Sequence, residues 1–395
     1  MTRHRFLALF AFFCAPHIAM VTTSAQTPGG PVVIGEMVQF ESNILKESRS
    51  LLIAKPDGYE ASTERYPVLY LLDSELYFNY TSAIEAFLAR NDRVPKTLVV
   101  GVVSGDTARR THDLTPPSTA ENDNRFSPGN GGADAFLSFL ADELIPFVER
   151  TYRTRPYRLL IGHSFGGLFA VYAMAKEPAL FNGYIVADPS IYWNNQAVVA
   201  QAESFLTHTK SLQADFYMAA SGGSDRPPGE IARLRAAFAK SAPAGFRWSL
   251  DLMQQEDHMS IALPSLYHGL ETIFAEWRLA NPLELYNKAG IEGIHRRYQE
   301  TGRRFGYPER TTPPFMVSLL VAALMSAGRL EEASQVLLHD PKTYPPPWNQ
   351  LDALARRYES RGNPKDAAQY YLLSLRENPQ NDHAKKKRPI WEFSG

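Results

Sequence analysis

Cysteine is almost absent. Cys14 is the only one in 395 residues, so no intrachain disulfide can form and no thiolate zinc cluster can assemble. Cys14 also falls inside an apolar N-terminal stretch, residues 6–21, which Arg3 and Arg5 precede and the small residues Thr23-Ser24-Ala25 follow. That order predicts a signal peptide over 1–25, cut after Ala25. Its removal takes away the one thiol, and with it any cysteine nucleophile. The stretch is shorter than the ~20 apolar residues a membrane span needs, and Pro16 and His17 interrupt it. No later run is apolar for long enough. The expectation is a periplasmic or secreted protein that does not span a membrane once the signal is removed.

Charge of one sign is lacking too. Lys+Arg number 41 against Asp+Glu 42, a formal net charge of -1. Nucleic-acid binding needs clustered positive charge to displace counterions, so no such partner is expected. The basic run Lys385-Lys386-Lys387-Arg388 reads as a solvated tail. No two histidines stand at i, i+4 beside an acid, and no acidic loop has calcium-site spacing, so no metal is expected. Gly129-Asn130-Gly131-Gly132 lacks the Lys-Ser/Thr of a phosphate-binding loop. No cofactor is expected.

What is present is alternation of apolar runs with helical stretches. After a Gly- and Pro-rich linker at 26–35, the segments 50–54, 66–72, 97–103, 157–161, 184–187, 216–220 and 248–253 read as strands. Those at 66–72 and 97–103 are apolar on consecutive positions, as strands buried on both faces are. Residues 133–151 have helical spacing, with Phe136, Leu140, Leu144, Phe147 and Val148 on one side. Helices are also predicted at 165–176 and 260–279. The pattern predicts an α/β fold, a mostly parallel sheet covered on both faces, over residues 36–280.

Strand signals stop near Asn281. Gly328 and Gly362 stand 34 residues apart, as do Leu324 and Tyr358, Ala333 and Ala367, Leu338 and Leu372, and Pro345 and Pro379. That period matches the tetratricopeptide helix pair. The prediction is a helical connector over 281–314 and a small all-α, tetratricopeptide-like region over 315–395, which offers a surface for a protein partner.

The strongest chemical signal is Gly162-His163-Ser164-Phe165-Gly166, between an apolar strand and a helix. It fits the G-x-S-x-G nucleophile elbow of the α/β-hydrolase fold. Ser164 must occupy a tight, strained turn that lifts its hydroxyl above the sheet, and glycine at both flanks avoids clashes. The N-terminus of the following helix favours developing negative charge. His163, pointing away from Ser164, is expected to pack under the turn.

A serine nucleophile needs a base, in the order Ser…Asp/Glu…His. His258 follows the last strand and opens the final helix, where the fold delivers its base. His208, His268, His295, His339 and His383 read as structural or surface residues. The acid is expected in the loop after 216–220, at Asp225; Asp188, Glu230 and a simple Ser–His dyad are the alternatives. Its work is to hold the imidazole tautomer and stabilise the imidazolium. Phe165 N–H, directly after the nucleophile, and Glu75 N–H, after 66–72, are the expected oxyanion-hole donors.

Several stretches carry a family resemblance. They are Tyr70-Leu71-Leu72-Asp73, Arg110-Thr111-His112-Asp113-Leu114-Thr115-Pro116 and Gly131-Gly132-Ala133-Asp134-Ala135-Phe136-Leu137, followed by 147–152, 162–167, Asp188-Pro189-Ser190-Ile191-Tyr192-Trp193 and 258–273. Across residues 35–280 the chain resembles the putative-esterase family of α/β-hydrolases, in its branch of periplasmic ferric-siderophore esterases. The helical tail is similar to one fused to bacterial members. The resemblance implies hydrolysis of a small-molecule carboxylic ester, with Ser164 and His258 in matching positions and Arg110 and Trp193 lining the pocket. Family members usually have glycine where this chain has Ser74, and the Asp225 loop matches loosely. Two other readings stand beside the esterase: an acyltransferase on the same triad, and a non-catalytic module that binds a peptide through its helical repeats.

Overall fold

The structure is a computed structural model that describes residues 32–222, 228–339 and 345–392, with only the main chain of Pro228 and 388–392. The apolar runs become strands of one eight-stranded sheet: β1 (Glu36–Ser42), β2 (Glu47–Ala54), β3 (Tyr66–Leu71), β4 (Leu98–Val102), β5 (Thr154–His163), β6 (Gly183–Ala187), β7 (Asp215–Ser221) and β8 (Arg247–Met253). Their order across it is β1-β2-β4-β3-β5-β6-β7-β8. The β1–β2 and β2–β4 pairs are antiparallel and all others parallel. This is the mostly parallel sheet of the α/β-hydrolase fold. β1, which the sequence reading left unassigned, is the edge strand, and four of its seven residues are exposed.

Helices cover both faces: α1 (Ser74–Arg90), α2 (Thr107–Leu114), α3 (Glu121–Phe126), α4 (Ala133–Ser138), α5 (Ile145–Thr151), α6 (Phe165–Lys176), α7 (Trp193–His208), α8 (Pro228–Ser241) and α9 (Ala262–Ile273). Successive strand residues point to opposite faces. Leu69, Leu71, Leu159 and Ile161 therefore pack with Leu88 of α1 and Leu266 and Leu270 of α9. Val68, Tyr70 and Leu160 pack instead with Phe136 of α4 and with α6. The helix read over 133–151 is present and runs through a π-helical turn, Phe139–Leu144. Pro146 supplies the reason: it has no N–H for an i→i−4 bond, and its ring crowds the carbonyl four residues back.

The C-terminal part is all helical: α10 (Pro282–Arg304), α11 (Pro314–Ser326), α12 (Leu330–Leu337), α13 (Trp348–Ser360), α14 (Pro364–Glu377) and α15 (Asp382–Glu392). Gly328 and Gly362, Leu324 and Tyr358, and Ala333 and Ala367 occupy equivalent places in two hairpins, whereas Leu338 lies just past α12 and Leu372 is exposed within α14. Gly328 and Gly362 both turn with positive φ, 77° and 75°. Arg329 N donates to Leu324 O at 2.9 Å, as Asn363 N does to Tyr358 O at 3.0 Å. Leu324, Ala333, Tyr358 and Ala367 share one buried cluster. The connector is anchored beneath the sheet. Phe305 is fully buried among Tyr157, Phe274 and Trp277, and Arg304 holds Asp215, the first residue of β7, at 2.6 Å. These contacts lie at the end of the strands opposite Ser164. Among the described residues no helix is long and apolar enough to cross a membrane.

Candidate active site

Four parallel strands deliver the site. Ser164 directly follows β5 and precedes α6, at φ 60° and ψ −116°, a conformation a non-glycine residue holds only under constraint. The constraint comes from its neighbours. A Cβ at Gly162 would lie 2.1 Å from Gly166 O, and one at Gly167 would lie 3.0 Å from Pro189 Cα. At Gly166 a Cβ would meet Asp73 Oδ2 at 3.5 Å, an ordinary contact. Of the two motif glycines the steric demand thus falls on Gly162 alone, and it is shared by Gly167 outside the motif. Ser164 N donates to Ala187 O at 3.0 Å, and its carbonyl accepts from Ser190 N at 3.0 Å and Leu168 N at 2.9 Å.

His258 arrives on the loop between β8 and α9. Its Nε2 lies 3.0 Å from Ser164 Oγ, and its Nδ1 lies 2.6 Å from Asp188 Oδ2. The carboxylate at the far ring nitrogen is therefore that of the second candidate acid. The first, Asp225, lies outside the described residues, and Glu230 sits on α8. Asp188 follows β6, the strand next to β5, with φ 39° and 2% exposure. Its Oδ1 accepts from Ser221 N and its Oδ2 from Ser221 Oγ, both at 3.1 Å. Ser190, which the sequence reading did not single out, puts its Oγ 3.2 Å from Ser164 Oγ. Its only sequence signal was its place in the Asp188-Pro189-Ser190 turn.

The expected oxyanion donors open two neighbouring helices. β3 and β5 are parallel partners, with Leu71 opposite Ile161, so the N-termini of α1 and α6 emerge side by side. The first N–H groups of a helix have no intrahelical acceptor. Phe165 is the first residue of α6 and Glu75 the second of α1. The carboxylate of Glu75 accepts from Ser104 N at 3.0 Å and Gly105 N at 3.1 Å, which ties the β4 exit loop to α1. Ser74, in the family's glycine position, is buried and packs over Gly101, where an added Cβ would come within 2.5 Å of Ser74 Cβ.

Arg110 and Trp193 both meet Phe165. Arg110 grips Asp73 with two bonds of 2.8 Å, and its guanidinium lies over the Phe165 ring at 5.4 Å. Burial pulls its pKa down, but the Asp73 bond and charge outweigh that and raise it. Trp193 is fully buried; its Nε1 donates to Pro116 O at 2.8 Å and its ring meets Phe165 edge-on at 5.3 Å. It lines an open cavity of about 540 Å³ together with Glu121, Asp123, Phe126, Tyr192 and Asn195. Phe126 is largely exposed there. Asn194, Asn195 and Gln196 all have positive φ at this edge, and Asn194 N donates to Asp123 Oδ2 at 2.7 Å.

The remaining late histidines are engaged elsewhere. His208 Nδ1 donates to Ser204 O, His295 meets Thr312 Oγ1, His339 pairs with Glu292 and His383 with Asp352. His268 lies beside the Tyr267 ring. Among the described residues no group of three or more His, Cys, Asp or Glu side chains is placed to hold a metal.

The family model described as "Putative esterase" matches residues 42–221. The chain is similar to the siderophore enterobactin esterase of Emericella nidulans, 33% identical over 38% of this chain and 54% of that protein. It is similar to the ferri-bacillibactin esterase BesA of Bacillus subtilis, 35% identical over 37% of this chain and 55% of that protein. The chain thus spans about half the length of these curated relatives. Among solved structures, an IroE-like serine hydrolase from Shewanella oneidensis is 26% identical, with a TM-score of 0.62, over 76% of this chain and 97% of that one. The chain therefore carries, between residues 42 and 221 of an α/β-hydrolase fold, a segment that matches the esterase family.

Proposed function

We propose that the protein hydrolyses a small-molecule carboxylic ester through an acyl-enzyme on Ser164, in the periplasm or outside the cell. The observation that carries this reading is the pair of contacts on one ring: Ser164 Oγ at 3.0 Å from Nε2 and Asp188 Oδ2 at 2.6 Å from Nδ1 of His258. Ser164 Oγ attacks the ester carbonyl carbon while His258 Nε2 takes the hydroxyl proton. Asp188 holds the Nδ1–H tautomer and offsets the imidazolium charge. Phe165 N–H and Glu75 N–H receive the oxyanion. The intermediate collapses, and His258 gives its proton to the departing alcohol. Water then attacks the acyl-enzyme, His258 takes its proton, and Ser164 leaves reprotonated as the carboxylic acid is released.

The names of the similar proteins favour a siderophore ester. The two equivalent hairpin turns support a tetratricopeptide-like reading of the tail, with a protein partner on its surface. The direct test is steady-state hydrolysis of p-nitrophenyl butyrate and of a trilactone siderophore by the purified protein. Ser164→Ala is expected to remove nearly all turnover of both. Equal rates for the two proteins would refute the proposal.

A further inference from the structure

His163 and Ser164 are consecutive, and both reach the same downstream residue. Ser164 Oγ meets the His258 ring. His163 Nε2 lies 2.5 Å from the main-chain carbonyl oxygen of His258. A carbonyl only accepts, so the proton of that bond sits on His163 Nε2. Nδ1 is then the acceptor, and the Tyr77 hydroxyl, 2.8 Å away, donates to it. Both nitrogens of His163 are used, and the tautomer is fixed from both sides.

The surroundings hold the ring still. His163 is the last residue of β5, paired with Ala187 of β6, and is 4% exposed. The Tyr77 ring stands at 90° to it with centroids 5.7 Å apart, and the His258 ring lies 4.5 Å away. Tyr77 belongs to α1, whose N-terminus supplies Glu75. The loop around His258 is braced locally through Asp257, whose Oδ1 accepts from Met259 N and Ser260 N at 2.8 Å. Those bonds shape the loop but do not tie it to the sheet. The His163 bond does.

We propose that His163 is a positioning residue: it donates from Nε2 to the His258 carbonyl, with Tyr77 setting its tautomer, and so holds the main chain from which the His258 imidazole reaches Ser164. The inference rests on the esterase reading above. Loss of the anchor leaves the triad groups present but allows the base to wander, and a displacement of an ångström at a reacting group costs ~100-fold in rate. Burial, reinforced by the His258 charge, pushes the His163 pKa down to about 4, which keeps a neutral ring beside His258 when the imidazolium forms.

The test compares His163→Phe, His163→Gln and Tyr77→Phe on p-nitrophenyl butyrate, with thermal melting alongside. His163→Phe fills the space without a donor; kcat is expected to fall ~10- to 100-fold with KM changed less than about twofold. The glutamine amide can donate in place of Nε2, and His163→Gln is expected within about fivefold of the wild type. Tyr77→Phe should fall between them. A His163→Phe rate within about twofold of the wild type, or a well-folded His163→Gln as slow as His163→Phe, would overturn the proposal. If His163→Phe fails to fold, Tyr77→Phe decides: an unchanged kcat counts against the anchor. Independently, nitrogen NMR of histidine-labelled wild type at neutral pH should find His163 protonated at Nε2 alone; an Nδ1–H tautomer or a cation would also overturn it. A wild type that hydrolyses no ester defeats the esterase reading, and the tautomer then settles separately whether His163 holds the His258 main chain.

Discussion

Asp188 Oδ2 lies 2.6 Å from His258 Nδ1, and the two residues come from loops 70 positions apart. β6 is the strand next to β5, so a carboxylate at its end reaches a base that leans over Ser164. Two bonds from Ser221 and one from Asp188 N to Ala219 O, at 2.8 Å, fix its direction. Asp188→Asn is expected to lower kcat/KM by ~1,000- to 10,000-fold, the effect of losing the correct imidazole tautomer. Asp225→Asn is expected to stay within about threefold of the wild type. Steady-state kinetics on the two variants checks both halves.

The central strands were legible because burial on both faces leaves consecutive apolar residues, as in Val68-Leu69-Tyr70-Leu71. The elbow was legible because a steric requirement writes glycine into the sequence at fixed offsets. Helix α1 went unread: it buries polar Ser74, Thr81, Ser82 and Glu85 with its aromatic residues, which blurs the apolar stripe. The acid was hard to place for a different reason. Both Asp188 and Asp225 follow segments that read as strands and precede His258 in the chain, so order along the chain does not choose between them. The role of His163 was hidden too, because its acceptor is a main-chain carbonyl 95 positions away, which leaves no mark on residue type.

The two inner glycines of the elbow should differ in tolerance. A Cβ at position 162 would lie 2.1 Å from Gly166 O and 2.2 Å from Gly166 C, and backbone cannot step aside. Gly162→Ala is expected to cost ~3 kcal/mol or more, or to abolish soluble protein. Gly166→Ala, with 3.5 Å to its nearest neighbours, is expected to cost about 1 kcal/mol or less. Urea unfolding of both variants reads the difference.

Glu85 of α1 is a buried carboxyl far from the chemistry. Burial pushes its pKa up to about 8, although Thr97 N donates to it at 2.7 Å. Between pH 4.5 and 8 the folded chain keeps this proton while the unfolded chain releases it, so stability falls as pH rises through that window. Glu85→Gln removes the titration and keeps an acceptor for Thr97. Its stability relative to the wild type is expected to climb from pH 5 to pH 8.5, by on the order of 3 kcal/mol. Paired urea titrations at several pH values measure it, and other groups cancel in the difference. A gap that stays flat with pH would contradict the buried-carboxyl account.

The central claim is that Ser164 is an activated nucleophile, and covalent labelling reports on that without knowledge of the substrate. Intact-mass and peptide analysis after exposure to a fluorophosphonate should find one adduct, on Ser164. The labelling rate should fall by ~1,000-fold or more in His258→Ala, with no adduct in Ser164→Ala. Failure of the wild type to label, or labelling of Ser164 at the same rate with and without His258, would contradict the account.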